Sequence, residues 1–169
     1  HNKHYPDVDD TMEVLTLLHA LHPAESKLSQ PFQKGLTWLC SMQSKNGGFA
    51  AFDKDNQLEL LNKIPFSDHG ACLDQPTVDL SGRFIEFMVN TLGHDHTHPA
   101  IQKAADFIVK RQEPDGSFWG RWGVNYIYGT WCVLSGLGAL QRPQDKKIIE
   151  KSIGWIKNIQ HADGGFGED

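Results

Sequence analysis

Cysteine is scarce in this chain. Cys40, Cys72 and Cys132 stand far apart among 169 residues and share no C-x-x-C spacing. An odd number at such separations argues against a disulfide framework and offers no zinc ligand set, so a reducing cytosol is the default expectation. Runs of basic residues are missing as well. With 16 Lys plus Arg against 21 Asp plus Glu, and a formal charge of -5, the chain has no cationic footprint, and nucleic acid is excluded as a partner. No apolar stretch approaches the roughly 18–20 residues needed to cross a bilayer, and no signal-peptide pattern opens the chain.

What is present is the composition of a soluble globular domain, 39% hydrophobic and 22% charged, long enough for one real core. The chain opens on His1 and carries chemically interesting residues within its first ten positions. We expect it to be part of a longer protein.

The densest feature is Asp7-Val8-Asp9-Asp10-Thr11, three acids in four positions just after Pro6. Two readings compete. Acids in a first turn cap a helix, satisfying orphan N–H groups and the helix dipole. Alternatively, mutual repulsion and burial keep one carboxyl protonated near neutral pH, and with a cationic partner it becomes a Brønsted acid.

An internal repeat organises the rest. Lys34-Gly35, Trp38-Leu39, Gln43 and Gly47-Gly48-Phe49 recur with identical spacing as Lys103-Ala104, Phe107-Ile108, Gln112 and Gly116-Ser117-Phe118. A third copy is Lys151-Ser152, Trp155-Ile156, Gln160 and Gly164-Gly165-Phe166. A unit of about fifty residues, with an insertion in the first interval, indicates a stacked or closed helical array. Each copy reads as an outer helix running into a Gly-rich turn. The glutamine amide is expected to donate to carbonyls of its own helix and accept from N–H groups opening the next, stapling neighbours together.

Between these lie helical runs over 11–21, 77–92 and 124–140, apolar on more than one face, which read as buried inner helices. Gly129, Gly136 and Gly138 in the last are tolerable in a helix only where packing compensates. Alternating inner and outer helices make an all-α protein, an α/α barrel of which three hairpins form about half.

Taken together, Tyr5 to Thr11, the three glutamine-aromatic repeats and the segment Gly120-Arg121-Trp122-Gly123-Val124-Asn125-Tyr126-Ile127-Tyr128-Gly129-Thr130 resemble the squalene-hopene cyclase family of class II triterpene cyclases. The resemblance covers the chain from Tyr5 to Asp169. It implies an enzyme that folds a polyprene in an apolar cavity, protonates a terminal alkene and guides the carbocation through ring closures, with no metal and no cofactor. Residues 1–169 would be a partial α/α-barrel catalytic domain.

By the same resemblance Asp9 falls at the proton donor and Asp7 and Asp10 at its supporting acids. An alkene is a very weak base, so the donor has to be strong, dry and held in place. Where the family usually supports the donor with a histidine four residues after an aspartate, this chain has Asp79 and Arg83. A guanidinium is permanently charged and carries a fixed fork of donors, unlike a titrating imidazole. Without the family, Asp79 and Arg83 are an ordinary i, i+4 pair. The local sequence around Arg83 is similar to the branch from bacilli that cyclises tetraprenyl-β-curcumene and also takes squalene.

Trp122, Tyr128 and Phe66 match lining positions, where aromatic faces attract a carbocation. Phe52 stands where hopene-forming relatives carry tyrosine, and His69 where they carry phenylalanine, implying a cavity altered near its middle. Phe66 and Ser67 lie where the family narrows its substrate entrance. Each aromatic could equally be core.

Implied partners are the polyprene substrate, the remainder of the same enzyme and a membrane surface, contacted peripherally (monotopically) from the cytoplasmic side. An open half barrel exposes apolar edges, so a homodimer is a further expectation, and the isolated chain is expected to be inactive. The run His94-Asp95-His96-Thr97-His98 reads as a solvated loop before Pro99 and carries no metal assignment. Two other enzymes of similar architecture, a prenyltransferase subunit and a glycosidase, require zinc ligands or paired carboxylates in a polar cleft, and neither is visible. A helical-repeat scaffold without catalysis leaves the acid triplet unexplained.

Overall fold

A computed structural model describes residues 4–22, 29–56 and 73–168. Six α-helices run through them: α1 Val8–Leu21, α2 Gln30–Ser41, α3 Val78–Glu86, α4 Pro99–Val109, α5 Asn125–Leu140 and α6 Lys146–Ile159. A π-helical turn at Phe87–Thr91 prolongs α3. Among the described residues the β pairing is limited to one isolated bridge, Phe49 to Thr77. Inner helices α1, α3 and α5 alternate with outer helices α2, α4 and α6, as the repeat requires.

Helix α1 begins before the expected Thr11 because Asp7 caps it. One Asp7 side-chain oxygen accepts from the backbone N–H of Asp9 at 2.7 Å and of Asp10 at 3.1 Å. The helix is less buried than its apolar content led us to expect. Val8, Met12 and Leu15 lie in the core, whereas Val14, Leu17 and Leu21 are exposed. A stripe, not the whole surface, meets α2 and α3.

The helix covered on nearly every side is α3, where all residues from Val78 to Gly82, with Phe84 and Ile85, are buried. Its approach to α5 is backbone to backbone. A Cβ on Gly82 would sit 2.4 Å from the Cys132 carbonyl oxygen, and one on Gly136 would sit 2.4 Å from the Gly82 carbonyl oxygen. Contact that close excludes any side chain. Gly138 departs from this pattern: it faces open space, so packing does not offset its helix-weakening effect.

The glutamine staple joins successive outer helices. The Gln43 amide donates to the Gly47 carbonyl at 2.8 Å and to that of Ala100, in the opening turn of α4, at 2.8 Å. Gln112 repeats this with Gly116 at 3.2 Å and Ile148 of α6 at 2.9 Å. The polarity differs from expectation: the next helix is met through a carbonyl, not through its N–H groups. An amide NH2 carries two hydrogens, enough to serve both oxygens at once. Gly47 and Gly116 hold φ of 95° and 106°. Their missing Cβ atoms let the turn touch the backbone of Lys103 and Lys151 in the following copy. In the third copy Gln160 donates to Gly164 at 2.8 Å and is itself exposed.

Candidate active site

The amino-terminal ends of α1, α3 and α5 meet at one side of the helix layer. The Val8 N–H donates to the Ala51 carbonyl at 2.9 Å, tying the acid cluster to the residue before Phe52. Ala51 and Phe52 follow the first repeat turn directly, so the outer staple positions the inner site.

Asp9 faces Arg83 across α1 and α3. Arg83 Nε lies 2.6 Å from Asp9 Oδ1, and both atoms are shut off from water without an aligned hydrogen bond of their own. The contact is therefore chiefly electrostatic. Burial holds the Asp9 carboxyl above the usual carboxylate range, against the opposing pull of Arg83, while the Asp7 and Glu13 charges add to the rise. Asp10 is exposed in the first turn. Within the acid cluster Asp7 caps the helix, whereas Asp9 is half-buried against a cation.

Arg83 has a second partner that the sequence reading missed. Its Nη2 contacts Glu13 Oε1. Glu13 stands four residues after Asp9, on the same face of α1, and that spacing was the available signal. The two acids share the guanidinium with a cavity of about 230 Å³, lined also by Met12, Glu86 and Trp131.

The i, i+4 pair of Asp79 with Arg83, the alternative to a role for Arg83 beside Asp9, does not form. Asp79 is fully buried, with Oδ1 accepting from the Leu80 N–H at 2.9 Å. Its Oδ2 accepts from the backbone N–H groups of Arg121 at 2.8 Å and Trp122 at 3.2 Å. A carboxylate that close to the start of α3 turns toward orphan amides and away from its own helix's guanidinium. Asp79 therefore anchors the loop that carries Trp122.

A buried arginine, Arg121, extends this scaffold. Arg121 Nη1 donates to Asp74 Oδ1 at 3.2 Å, while Asp74 Oδ2 accepts from the N–H groups of Phe52 and Asp53. Three loops are thereby locked together, and the pairing of Asp74 with Arg121 had no sequence signal. They place Phe52 edge-on to Trp122, ring centroids 6.1 Å apart at 88°, and Tyr5 edge-on to Phe52 at 6.4 Å and 84°. Both Phe52 and Trp122 remain partly exposed, unlike the core phenylalanines Phe49 and Phe118. They are a surface row of aromatic faces rather than core.

Tyr128 approaches from α5, tilted against Trp131 at 5.6 Å. Burial raises its phenol, and burial also pushes the neighbouring Cys132 thiol up to about 12. Both stay neutral near pH 7, leaving the charge at this place to Arg83 and its acids. Phe66, Ser67 and His69, along with Cys72, lie outside the described residues. His98 caps α4, its Nδ1 accepting from the Ala100 N–H at 3.3 Å, so one histidine of the 94–98 loop has a structural task. No helix among the described residues is long and apolar enough to cross a membrane.

Comparison with known proteins agrees with this architecture. The squalene--hopene cyclase of Zymomonas mobilis is 46% identical over 172 residues, covering 99% of this chain and 26% of its own length. The chain thus spans about a quarter of that relative. Among solved structures, type II terpene cyclase MstE from Scytonema superposes with a TM-score of 0.70 at 19% identity, over 98% of this chain and 44% of that one. A glycosyl hydrolase of family 88 from Bacteroides vulgatus reaches a TM-score of 0.60 at 18% identity, over 96% of this chain and 52% of its own. Helical barrels are therefore shared across chemistries, and the fold alone does not choose among them. The choice comes from the sequence match, because the squalene-hopene cyclase C-terminal domain family covers residues 1–169, and this chain belongs to it.

Proposed function

We propose that the enzyme carrying this chain cyclises a polyprene by protonating a terminal alkene, with Asp9 as the donor. The observation that carries this reading is the environment of Asp9: a carboxyl held above its usual range by burial, yet in contact with a permanent cation. Burial favours the protonated form of the carboxyl. Arg83 stabilises the carboxylate left behind when the proton departs, which is when stabilisation is useful to the reaction.

The other residues divide the work. Asp7 fixes the turn by capping α1, Asp10 adds negative charge to that turn, and Asp79 holds the Trp122 loop. Trp122, Tyr128 and Phe52 offer aromatic faces to the carbocation, and Phe66, Ser67 and His69 complete the lining and the entrance. No metal or cofactor is required, since the acid is a side chain. The substrate is squalene or tetraprenyl-β-curcumene, and the product a polycyclic terpenoid.

Residues 1–169 act as a partial catalytic domain. The remainder of the enzyme closes the cavity, a peripheral membrane contact on the cytoplasmic side delivers the apolar substrate, and a homodimer covers the remaining apolar edges. The isolated 169 residues are expected to be inactive. Replacing Asp9→Asn in the whole enzyme removes the proton and should lower turnover of both substrates by at least about a thousandfold. Product formation is read by mass spectrometry, and turnover at the wild-type rate would refute the assignment.

A further inference from the structure

We propose that Glu13 is a positioning residue for the acid: it occupies one half of the Arg83 fork, so that Asp9 is touched by the guanidinium without being gripped by it. This rests on the reading of Asp9 as proton donor.

The argument starts from the shape of arginine. Its Nε and one Nη lie along a single edge, and that edge binds both oxygens of one carboxylate when nothing intervenes. Here the edge is divided, with Nε beside Asp9 and Nη2 on Glu13. A carboxylate gripped at both oxygens holds its negative charge and gives up its proton at low pH. One touched at a single point retains the proton to higher pH. Glu13 also offsets the arginine charge and adds its own repulsion, in the direction that keeps Asp9 protonated.

The remaining ionisable groups do not substitute for it. From α1, Asp7 acts on Asp9 but is committed to the cap. From α5, Tyr128 and Cys132 face Arg83 and stay neutral. From α3, Glu86 lines the same cavity but makes no ion pair with Arg83 among the described residues. The Glu13 side chain is 64% exposed, so replacing it barely disturbs the core.

The test is the pH dependence of kcat/KM in the whole enzyme, where loss of activity on the alkaline side reports loss of the Asp9 proton. Glu13→Ala frees Nη2 to close on Asp9. That limb should then move to lower pH by about one unit. Glu13→Gln keeps the contact but removes the charge, and should move it less, in the same direction. In an Arg83→Gln background each change should move the limb less, because only the direct repulsion between Glu13 and Asp9 is then lost. A Glu13→Ala profile that superimposes on wild type overturns the inference, as does an equal displacement without Arg83. Asp9→Asn separates the two failures. An inactive Asp9→Asn with an inert Glu13→Ala removes only the role of Glu13, whereas an active Asp9→Asn removes the donor and that role together.

Discussion

Two arginines of this molecule each meet two acids, and they do so in opposite ways. Arg142, between α5 and α6, grips Asp145 with both donors of one edge, at 2.7 and 3.0 Å, and reaches Asp106 with its remaining Nη1 at 3.1 Å. Arg142 and Asp145 are buried and every contact is an aligned hydrogen bond. Arg83 divides one edge between Asp9 and Glu13, and the atoms it shares with Asp9 lack that alignment. The same residue types thus serve as a fastener in one place and, in the proposed function, as the setting of an acid in the other. What separates them is how the fork is shared: Asp145 is held through both of its oxygens, whereas Arg83 gives Asp9 only one end of its edge.

That contrast can be broken by substitution. The largest effect on stability is expected from Arg142→Ala, which leaves the buried Asp145 charge uncompensated and should lower unfolding free energy in urea by about 3 kcal/mol. A loss below about 1 kcal/mol would place this pair with ordinary surface ion pairs. Arg83→Ala should cost about 1 kcal/mol or less in the same assay, because Glu13 is already largely exposed and burial favours the neutral form of Asp9. Turnover should nevertheless fall, and equal destabilisation by the two changes would erase the distinction drawn here.

The finest change is Arg83→His, which swaps a permanent charge for a titrating one. Turnover should gain an inflection near the ordinary imidazole pKa of about 6.5, falling as pH rises because the neutral ring no longer stabilises the Asp9 carboxylate. A profile without that inflection would show that Arg83 acts through packing and not through charge.

Much of the fold was legible because repeats and periodicity are local signals. Gln43, Gln112 and Gln160 marked the ends of outer helices, and the apolar runs marked the inner ones, with boundaries adjusted by Asp7 and by the π-helical turn after Glu86. The polarity of the staple was not legible, since an amide can donate or accept and only the position of Ala100 and Ile148 decides which. The exposure of Val14, Leu17 and Leu21 was missed for a related reason: apolar content on a helix does not say which of its faces meets a neighbour.

The site divides along the same line. Asp9 and Arg83 were assigned to each other through the resemblance, and the structure brings them together. The pairing of Asp79 with Arg83, which helical spacing alone would suggest, does not occur. Asp74 and Arg121, separated by 46 intervening residues, had no shared pattern to reveal them.

By itself, then, the sequence determined the helical repeat and the family. The repeat is a consequence of spacing along the chain, and the family follows from likeness to known sequences. The tertiary structure alone decided which acid each arginine holds, and whether it holds one oxygen or two. Hydrogen-bond alignment and desolvation depend on distances across helices, and those distances exist only once α1, α3 and α5 have packed.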